Sequence, residues 1–308
     1  MLHPKIIILM GTYNGQRYLV EQLDSICGQT HNNWEIWISD DGSSDNTIQI
    51  LKDYQTRLGE DVLHILAGPR KGFSANFLSL VCNKNLVGTY FAYSDQDDIW
   101  HPTKLQQAVA WLNTVPKGTP ALYCGRTTLV NEKGNVIGHS PLFEKKPVFL
   151  NALMQNIGGG NTMVFNNDTL NLLQEAGEGI NIASHDWWTY LVVAGAGGSV
   201  FYNPNPTLNY RQHGNNLIGG NIGWSARFDR AIQMFKGRFK TWNDLNFHAL
   251  LSIKHRLTEK NTQVLMEIID ARDRSLISRL IKLKRLGIHR QTFSGNLGLI
   301  AAALLKKI

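Results

Sequence analysis

Three cysteines in 308 residues are too few and too scattered to build a covalent framework. Cys27, Cys82 and Cys124 are odd in number and form no C-x-x-C pair. Neither a disulfide scaffold nor a cysteine zinc site is indicated, and reduced thiols in a cytoplasmic protein are expected. Long apolar runs are missing as well. No stretch reaches the roughly 18 apolar residues of a membrane span. The run from Ile6 to Met10 is too short for the apolar core of a signal peptide and leads into a Gly-Thr-Tyr-Asn-Gly turn. A protein made and kept inside the cell is therefore expected. Neither an internal repeat nor a low-complexity segment occurs.

What is present is a folded composition, with 43% apolar, 9% aromatic and 18% charged residues. That supports a core of ordinary size, in one large domain or one domain with an appendage. The net charge of +7 is unevenly placed. Residues 221–308 hold 17 Lys and Arg against 6 Asp and Glu, while residues 1–220 hold 14 against 18. A mildly acidic body, 1–220, thus carries a basic helical extension, 221–308. Such an extension suits nucleic acid, anionic lipid or a solvated helix face.

Strand and helix patterns alternate from the start. Lys5 to Met10 is a continuous apolar strand, and Tyr18, Leu19, Leu23, Ile26 and Cys27 share one helix face. Strands are expected again over Trp34–Ser39, Val62–Leu66 and Tyr90–Tyr93. Helices are expected through Ile48, Leu51, Tyr54 and Leu58, over Ser74–Cys82, and after Pro102. This order predicts an α/β fold with a mostly parallel central sheet, and such sheets bind ligands beyond the carboxyl ends of their strands. Farther on, Ala121–Ile137 reads as a hairpin around Glu132-Lys133-Gly134-Asn135. Asn151–Asn156 reads as a helix end, with a strand following through Phe165. A helix is expected near His185-Asp186, with short strands at Ser199–Tyr202 and Thr207–Tyr210. From Trp224 onward the pattern is helical and basic.

Thr12, Asp40 and Asp95 all fall just past strand ends. Asp95-Gln96-Asp97-Asp98 holds three carboxylates in four residues, a crowding that calls for a cation or strong donors. Mg²⁺ or Mn²⁺ takes one or two carboxylates together with phosphate oxygens. Taken alone, the segment reads equally as an acidic loop capping the helix at Pro102. Asp40-Asp41-Gly42-Ser43 can accept the N3–H of uracil or thymine, or simply cap a strand-to-helix turn.

Three segments together are similar to the family-2 glycosyltransferases, which have the GT-A fold. They are Gly11-Thr12-Tyr13-Asn14-Gly15, Asp40-Asp41-Gly42-Ser43-Ser44-Asp45-Asn46-Thr47 and Ser94-Asp95-Gln96-Asp97-Asp98, within residues 5–216. The resemblance implies a nucleotide-sugar donor held by Thr12, Tyr13 and Asp40, with Asp95 on the ribose or metal. It implies a divalent metal, Mg²⁺ or Mn²⁺, on Asp97. Arg70, in Gly68-Pro69-Arg70-Lys71-Gly72, touches the nucleotide or stands in a solvated loop. Ser184-His185-Asp186-Trp187-Trp188 matches the segment that carries the family's catalytic base, which makes Asp186 the candidate. Partial burial beside the tryptophans strengthens a carboxylate as a base; the alternative is a helix N-terminal acid. In Tyr210-Arg211-Gln212-His213-Gly214-Asn215-Asn216, Arg211 is expected to face the diphosphate and His213 to complete the metal sphere. Asp98, Gly160, Asn161 and Trp187 are candidates for supporting or acceptor contacts. The Gln-x-x-Arg-Trp motif of processive, membrane-embedded members is absent.

The implied reaction is an inverting displacement. Asp186 deprotonates an acceptor hydroxyl, which attacks the anomeric carbon as the nucleotide diphosphate leaves. A finer similarity is to bacterial rhamnosyltransferases of surface polysaccharide (O-antigen or capsule) biosynthesis. It rests on Ser94 to Trp100, His185 to Trp188 and Tyr210 to Asn216. It implies dTDP-L-rhamnose, or another dTDP- or UDP-sugar, as donor and a lipid-linked glycan as acceptor. Arg279, Lys282, Lys284, Arg285 and Arg290 interleave with apolar residues, and Leu297–Leu305 is apolar. This allows a peripheral site on the inner face of the cytoplasmic membrane, or a packed helix with a solvated basic face. A sugar nucleotidyltransferase would show a basic phosphate loop after the first strand, and Gly11-Thr12-Tyr13-Asn14 has no Lys or Arg. A non-catalytic glycan-binding protein fits poorly with Asp97 and Asp186 both present. Nucleic acid is disfavoured, because the basic tail lacks an aromatic stacking platform.

Overall fold

The computed structural model describes residues 3–213 and 237–308. Its centre is β1 (Ile6–Thr12), whose Ile6, Ile7, Ile8, Leu9 and Met10 are all fully buried. The strand pairs in parallel with β2 (Trp34–Asp40) on one side and β4 (Tyr90–Ser94) on the other. A strand with helices on both faces reads as an uninterrupted apolar run, and its alternate residues enter two different layers. Ile6, Ile8 and Met10 join a core with Leu19, Leu23 and Ile26 of α1 (Leu19–Cys27) and Leu51 of α2 (Thr47–Leu58). Ile7 and Leu9 join the opposite core with Phe77 and Leu80 of α3 (Phe73–Val81).

With β3 (Leu63–Ala67) at one edge, the main sheet continues past β4 through β9 (Val164–Asn166), β6 (Ala121–Gly125) and β10 (Ser199–Asn203). All neighbours run parallel except β9, which is antiparallel to both β4 and β6. The antiparallel insertion lets α6 (Asn167–Ala176) start at once, with the Asn166 side chain accepting from Thr169 N at 3.1 Å.

The expected hairpin over Ala121–Ile137 divides. Its first part is β6 in the main sheet, and only β7 (Thr128–Val130) and β8 (Val136–His139) pair as a hairpin. These two belong to a second, four-stranded sheet in the order β5-β11-β7-β8, where β5 is Ile99–Trp100 and β11 is Leu208–Arg211. Asn209 pairs with Ile99 in β5 and with Thr128 in β7. This small sheet carries the chain after β11 back to the loop between β4 and β5. The expected helix end at Asn151–Asn156 lies mostly past α5 (Phe149–Ala152).

The helix expected near His185-Asp186 is α7 (His185–Gly195), buried along its whole length. Beyond residue 236, α8 (Arg238–Ser252), α9 (Glu259–Asp273), α10 (Leu276–Leu286) and α11 (Phe293–Leu304) follow. Phe247, Leu250, Leu265 and Ile268 of α8 and α9 share the core that holds Trp187 and Leu191 of α7. The expected boundary at 220/221, the Gly214-Asn215-Asn216 end of the late motif and the helical pattern from Trp224 to residue 236 lie outside the described residues.

His185, the first residue of α7, is buried in an aromatic box. Its ring stacks on Phe77 at 3.9 Å and meets Tyr93 edge-on at 4.8 Å. Burial holds its pKa down at about 4, against the opposing pull of the Asp186 carboxylate. The unfolded chain takes up this proton near the ordinary 6.5, whereas the folded chain refuses it until about 4. The neutral ring's contribution is therefore intact above pH 6.5 and is lost as the pH falls toward 4. The loss amounts to about 3 kcal/mol. His185→Phe keeps the stack and removes the titration. Urea unfolding of this variant is expected to show a flatter acid limb between those pH values, and a limb parallel to the parent's would contradict the account.

Candidate active site

The loops after β1, β2 and β4 meet at the carboxyl edge of the main sheet. The β1–β2 register sets Thr12 beside Asp40. Thr12 Oγ1 donates to Asp40 Oδ2 at 2.8 Å, and the Ser43 hydroxyl donates to the same oxygen at 2.6 Å. Asp40 Oδ1 accepts from the backbone N–H of Gly42 at 3.1 Å and of Ser43 at 2.7 Å. Both oxygens of this buried carboxylate are thus engaged, which shapes the turn. Asp41 fixes the neighbouring loop by accepting from Arg70 N at 2.6 Å and Gly72 N at 2.8 Å. Arg70 adopts a left-handed conformation there, with its side chain packed on Gly42.

The two turns also interlock. Asn14 N donates to Ser43 Oγ, and Ser44 N donates to Asn14 Oδ1, each at 2.8 Å. Gly15 N donates to Thr47 Oγ1 at 2.8 Å. Tyr13 projects outward with 57% of its surface exposed.

Gln96 ties the acidic loop to this assembly. Its side chain accepts from Tyr13 N at 2.9 Å and donates to Tyr13 O at 3.0 Å. A Cβ at residue 15 would collide with that amide, which explains the glycine. Asp97 Oδ2 lies 2.7 Å from His213 Nε2. Arg211 braces the same loop: Nε donates to Asp97 O at 3.2 Å and Nη1 to Glu132 O at 2.9 Å, while Nη2 bonds Glu21. The guanidinium expected to face a diphosphate is therefore buried, and these three bonds and the Tyr18 ring at 4.5 Å hold it. Asp98 is fully buried, with Oδ2 accepting from Asn161 Nδ2 at 2.6 Å and the Arg211 backbone N–H also directed at its carboxyl.

Asp186 occupies the first turn of α7. Its Oδ1 accepts from Ser184 Oγ and from Trp187 N, the latter at 2.7 Å. Oδ2 takes no hydrogen bond among the described residues. Asp186 is close enough to Asp95 to act on it electrostatically. Gly160 lies against His185, where any Cβ would strike Nε2. The glycine loop thereby joins the start of α7 to Asp98 through Asn161. Trp187 turns elsewhere: its indole N–H donates to Ala152 O at 2.7 Å, and its ring meets Trp242 edge-on.

Charge in this site is unbalanced. Burial, with Asp97 and Asp186 nearby, raises the Asp95 carboxyl to about 8. Burial and the same loop's carboxylates push Asp98 well above the carboxylate range. Lys104, buried over the Trp100 ring at 4.3 Å, is pulled down to about 7 by burial. A divalent cation would relieve this crowding. The chemistry of the residues present suits one, since a carboxylate oxygen of Asp97 and the imidazole Nε2 of His213 converge in the acidic loop. No group of three His, Cys, Asp or Glu suited to a metal occurs among the described residues.

The ties made by Gln96, Asp41, Ser43 and Ser184 were not legible in the sequence. Gln96 carried a signal in its place between two candidate ligands. Asp41 and Ser43 lay in a segment that also reads as a strand-to-helix turn, and Ser184 lay in the segment that carries Asp186.

The sequence profile of glycosyl transferase family 2 matches residues 7–170. The dTDP-rhamnosyl transferase RfbG of Shigella flexneri is 32% identical over 235 residues, which cover 72% of this chain and 77% of that protein. The putative glycosyltransferase EpsE of Bacillus subtilis (strain 168) is 35% identical over 109 residues, 35% of this chain and 38% of that protein. The solved mannosyltransferase PcManGT from Pyrobaculum calidifontis, in complex with GDP-Man and Mn²⁺, is similar at a TM-score of 0.55 and 16% identity, covering 100% of this chain and 86% of that one. TarS 1-349 of S. aureus, in complex with UDP-GlcNAc, also reaches 0.55, at 14% identity over 98% of this chain and 90% of that one. These two likenesses establish the fold. The chain belongs to glycosyl transferase family 2, and it is a glycosyltransferase with the GT-A fold.

Proposed function

We propose that this enzyme transfers L-rhamnose from dTDP-L-rhamnose to a hydroxyl of a lipid-linked glycan during surface polysaccharide biosynthesis, on the cytoplasmic side of the membrane. Similarity to a dTDP-rhamnosyl transferase over most of both chains supports this donor. One observation carries the catalytic reading. Asp186 has one oxygen held by Ser184 and Trp187 and the other open, beside the Asp95–Asp97 loop.

In this reading Thr12 and Asp40 hold the base, and rotation of the Ser43 hydroxyl releases an Asp40 lone pair for the thymine N3–H. The exposed Tyr13 ring lies against the base, and Arg70 reaches the nucleotide from its strained loop. Asp95 takes the sugar hydroxyl of the nucleoside. Asp97 and His213 would hold Mg²⁺ or Mn²⁺, which when bound offsets the charge that grows on the leaving diphosphate. Arg211 keeps the Asp97 backbone in place and leaves the phosphates to other groups. Gly160 and Asn161 set the acceptor side of the pocket against α7.

Asp186 Oδ2 accepts the proton of the acceptor hydroxyl. The acceptor oxygen forms a bond to the anomeric carbon from the face opposite the nucleotide, and the bond from that carbon to the diphosphate oxygen breaks. Configuration inverts in this single displacement.

Removal of a positioned base costs on the order of 1,000-fold in rate. Asp186→Asn is therefore expected to lose about that factor in single-turnover sugar transfer, while donor binding by thermal shift stays near the parent's. Unchanged transfer would remove Asp186 from the mechanism. A panel of dTDP-, UDP- and GDP-sugars is expected to give metal-dependent turnover with dTDP-L-rhamnose. Turnover with a different nucleotide sugar would overturn the donor assignment and leave the family unaffected.

A further inference from the structure

The apolar pattern of the first helix sets Tyr18 on one face with Leu19, Leu23 and Ile26. Those three leucines and isoleucine enter a core. Tyr18 stands one residue before α1 and joins neither hydrophobic core, although only 9% of its surface is exposed. Its ring meets charged and polar partners instead. The Arg211 guanidinium lies 4.5 Å from the ring centre and the Arg17 guanidinium 4.9 Å. The His213 imidazole stands 5.2 Å away, tilted by 30°. An aromatic face is electron-rich and attracts a cation set over it, and two rings at this spacing are in stacking range.

The backbone explains why one ring meets both late residues. Gln212 N donates to Val130 O at 2.8 Å, which prolongs the β11–β7 pairing past Arg211. Alternate side chains of an extended segment leave it on the same side. Arg211 and His213 therefore face one way, and Tyr18 lies against both. They are also the two groups that grip Asp97, through its carbonyl at 3.2 Å and its carboxylate at 2.7 Å. The tyrosine is itself anchored: its N–H donates to Gly15 O at 3.1 Å, in the turn that Gln96 locks. Its buried hydroxyl makes no hydrogen bond, which is a cost to folding. What Tyr18 offers the site is its ring.

We propose that Tyr18 is a positioning residue of the metal pair, whose ring sets the plane of the His213 imidazole and keeps Nε2 directed at the Asp97 carboxylate. A hydrogen bond at one nitrogen fixes a point of the imidazole, and a flat neighbour fixes its plane. The proposal rests on the reading of Asp97 and His213 as metal ligands. The groups around a metal ligand orient it, and their loss weakens the metal without touching it.

The test is calorimetric titration of Mn²⁺ into the full chain with dTDP present. Tyr18→Met fills the ring's space without a flat face. It is expected to weaken Mn²⁺ binding about ten-fold, at an unchanged metal-free thermal midpoint. Tyr18→Phe keeps the ring and is expected to keep the parent's affinity. In the His213→Gln background, Tyr18→Met is expected to cost nothing further, because the residue it positions is gone. Full affinity in Tyr18→Met overturns the proposal. An equal loss in Tyr18→Phe assigns the effect to the hydroxyl and overturns it too. A loss that persists in the His213→Gln background does the same, and this comparison decides even where the midpoint falls, since a loosened fold weakens binding in both backgrounds. Full affinity in His213→Gln would count against the metal pair itself, whereas a loss there with none in Tyr18→Met counts against Tyr18 alone.

Discussion

The 2.7 Å contact between Asp97 and His213 joins segments 116 residues apart, and much of the site depends on it. Neither residue reaches the other through local structure. Asp97 follows β4 of the main sheet, whereas His213 follows β11 of the small one. The two-residue β5 bridges them, because its pairing with β11 returns the late segment to the acidic loop. Arg211 strengthens the junction by holding the Asp97 carbonyl from the same strand that delivers His213. The small sheet thus serves as a clamp on the end of the large one.

That clamp concentrates negative charge. Burial first, and then the neighbouring carboxylates, push the carboxyls of Asp95 and Asp98 far up. The structure tolerates this because polar groups are aimed at the loop: Gln96 locks it to Tyr13, and Asn161 bonds Asp98. In the proposed mechanism this loop takes a cation together with a diphosphate, whose charges balance each other. Asp186 gains from the same arrangement. It sits at a helix N-terminus, where Ser184 and Trp187 N hold one oxygen and the other takes no hydrogen bond among the described residues.

The parallel half of the fold was legible because β1 to β4 are short apolar runs separated by helical periods and turn residues. Thr12, Asp40 and Asp95 fell at strand ends for the same reason. The antiparallel entry of β9 was not legible, since three residues carry no direction. Nor was β5, whose two residues are a strand only because β11 lies beside them. The hairpin boundary failed because Ala121 to Val130 is apolar on both sides of a break at residues 126–127. Side-chain destinations were the least legible. Arg211 and Trp187 stand in the expected segments, yet one is held by the Asp97 and Glu132 carbonyls, Glu21 and Tyr18, and the other fills the core, because burial partners distant in sequence decide rotamers.

Calorimetric titration of Mn²⁺ in the presence of dTDP tests the central claim, that Asp97 and His213 form one metal-holding pair. Asp97→Asn and His213→Gln are each expected to weaken Mn²⁺ binding by roughly 10–100-fold, and the double variant to lose little more than the worse single. Full Mn²⁺ affinity in both single variants, at unchanged thermal midpoints, would contradict the pairing and the site built on it.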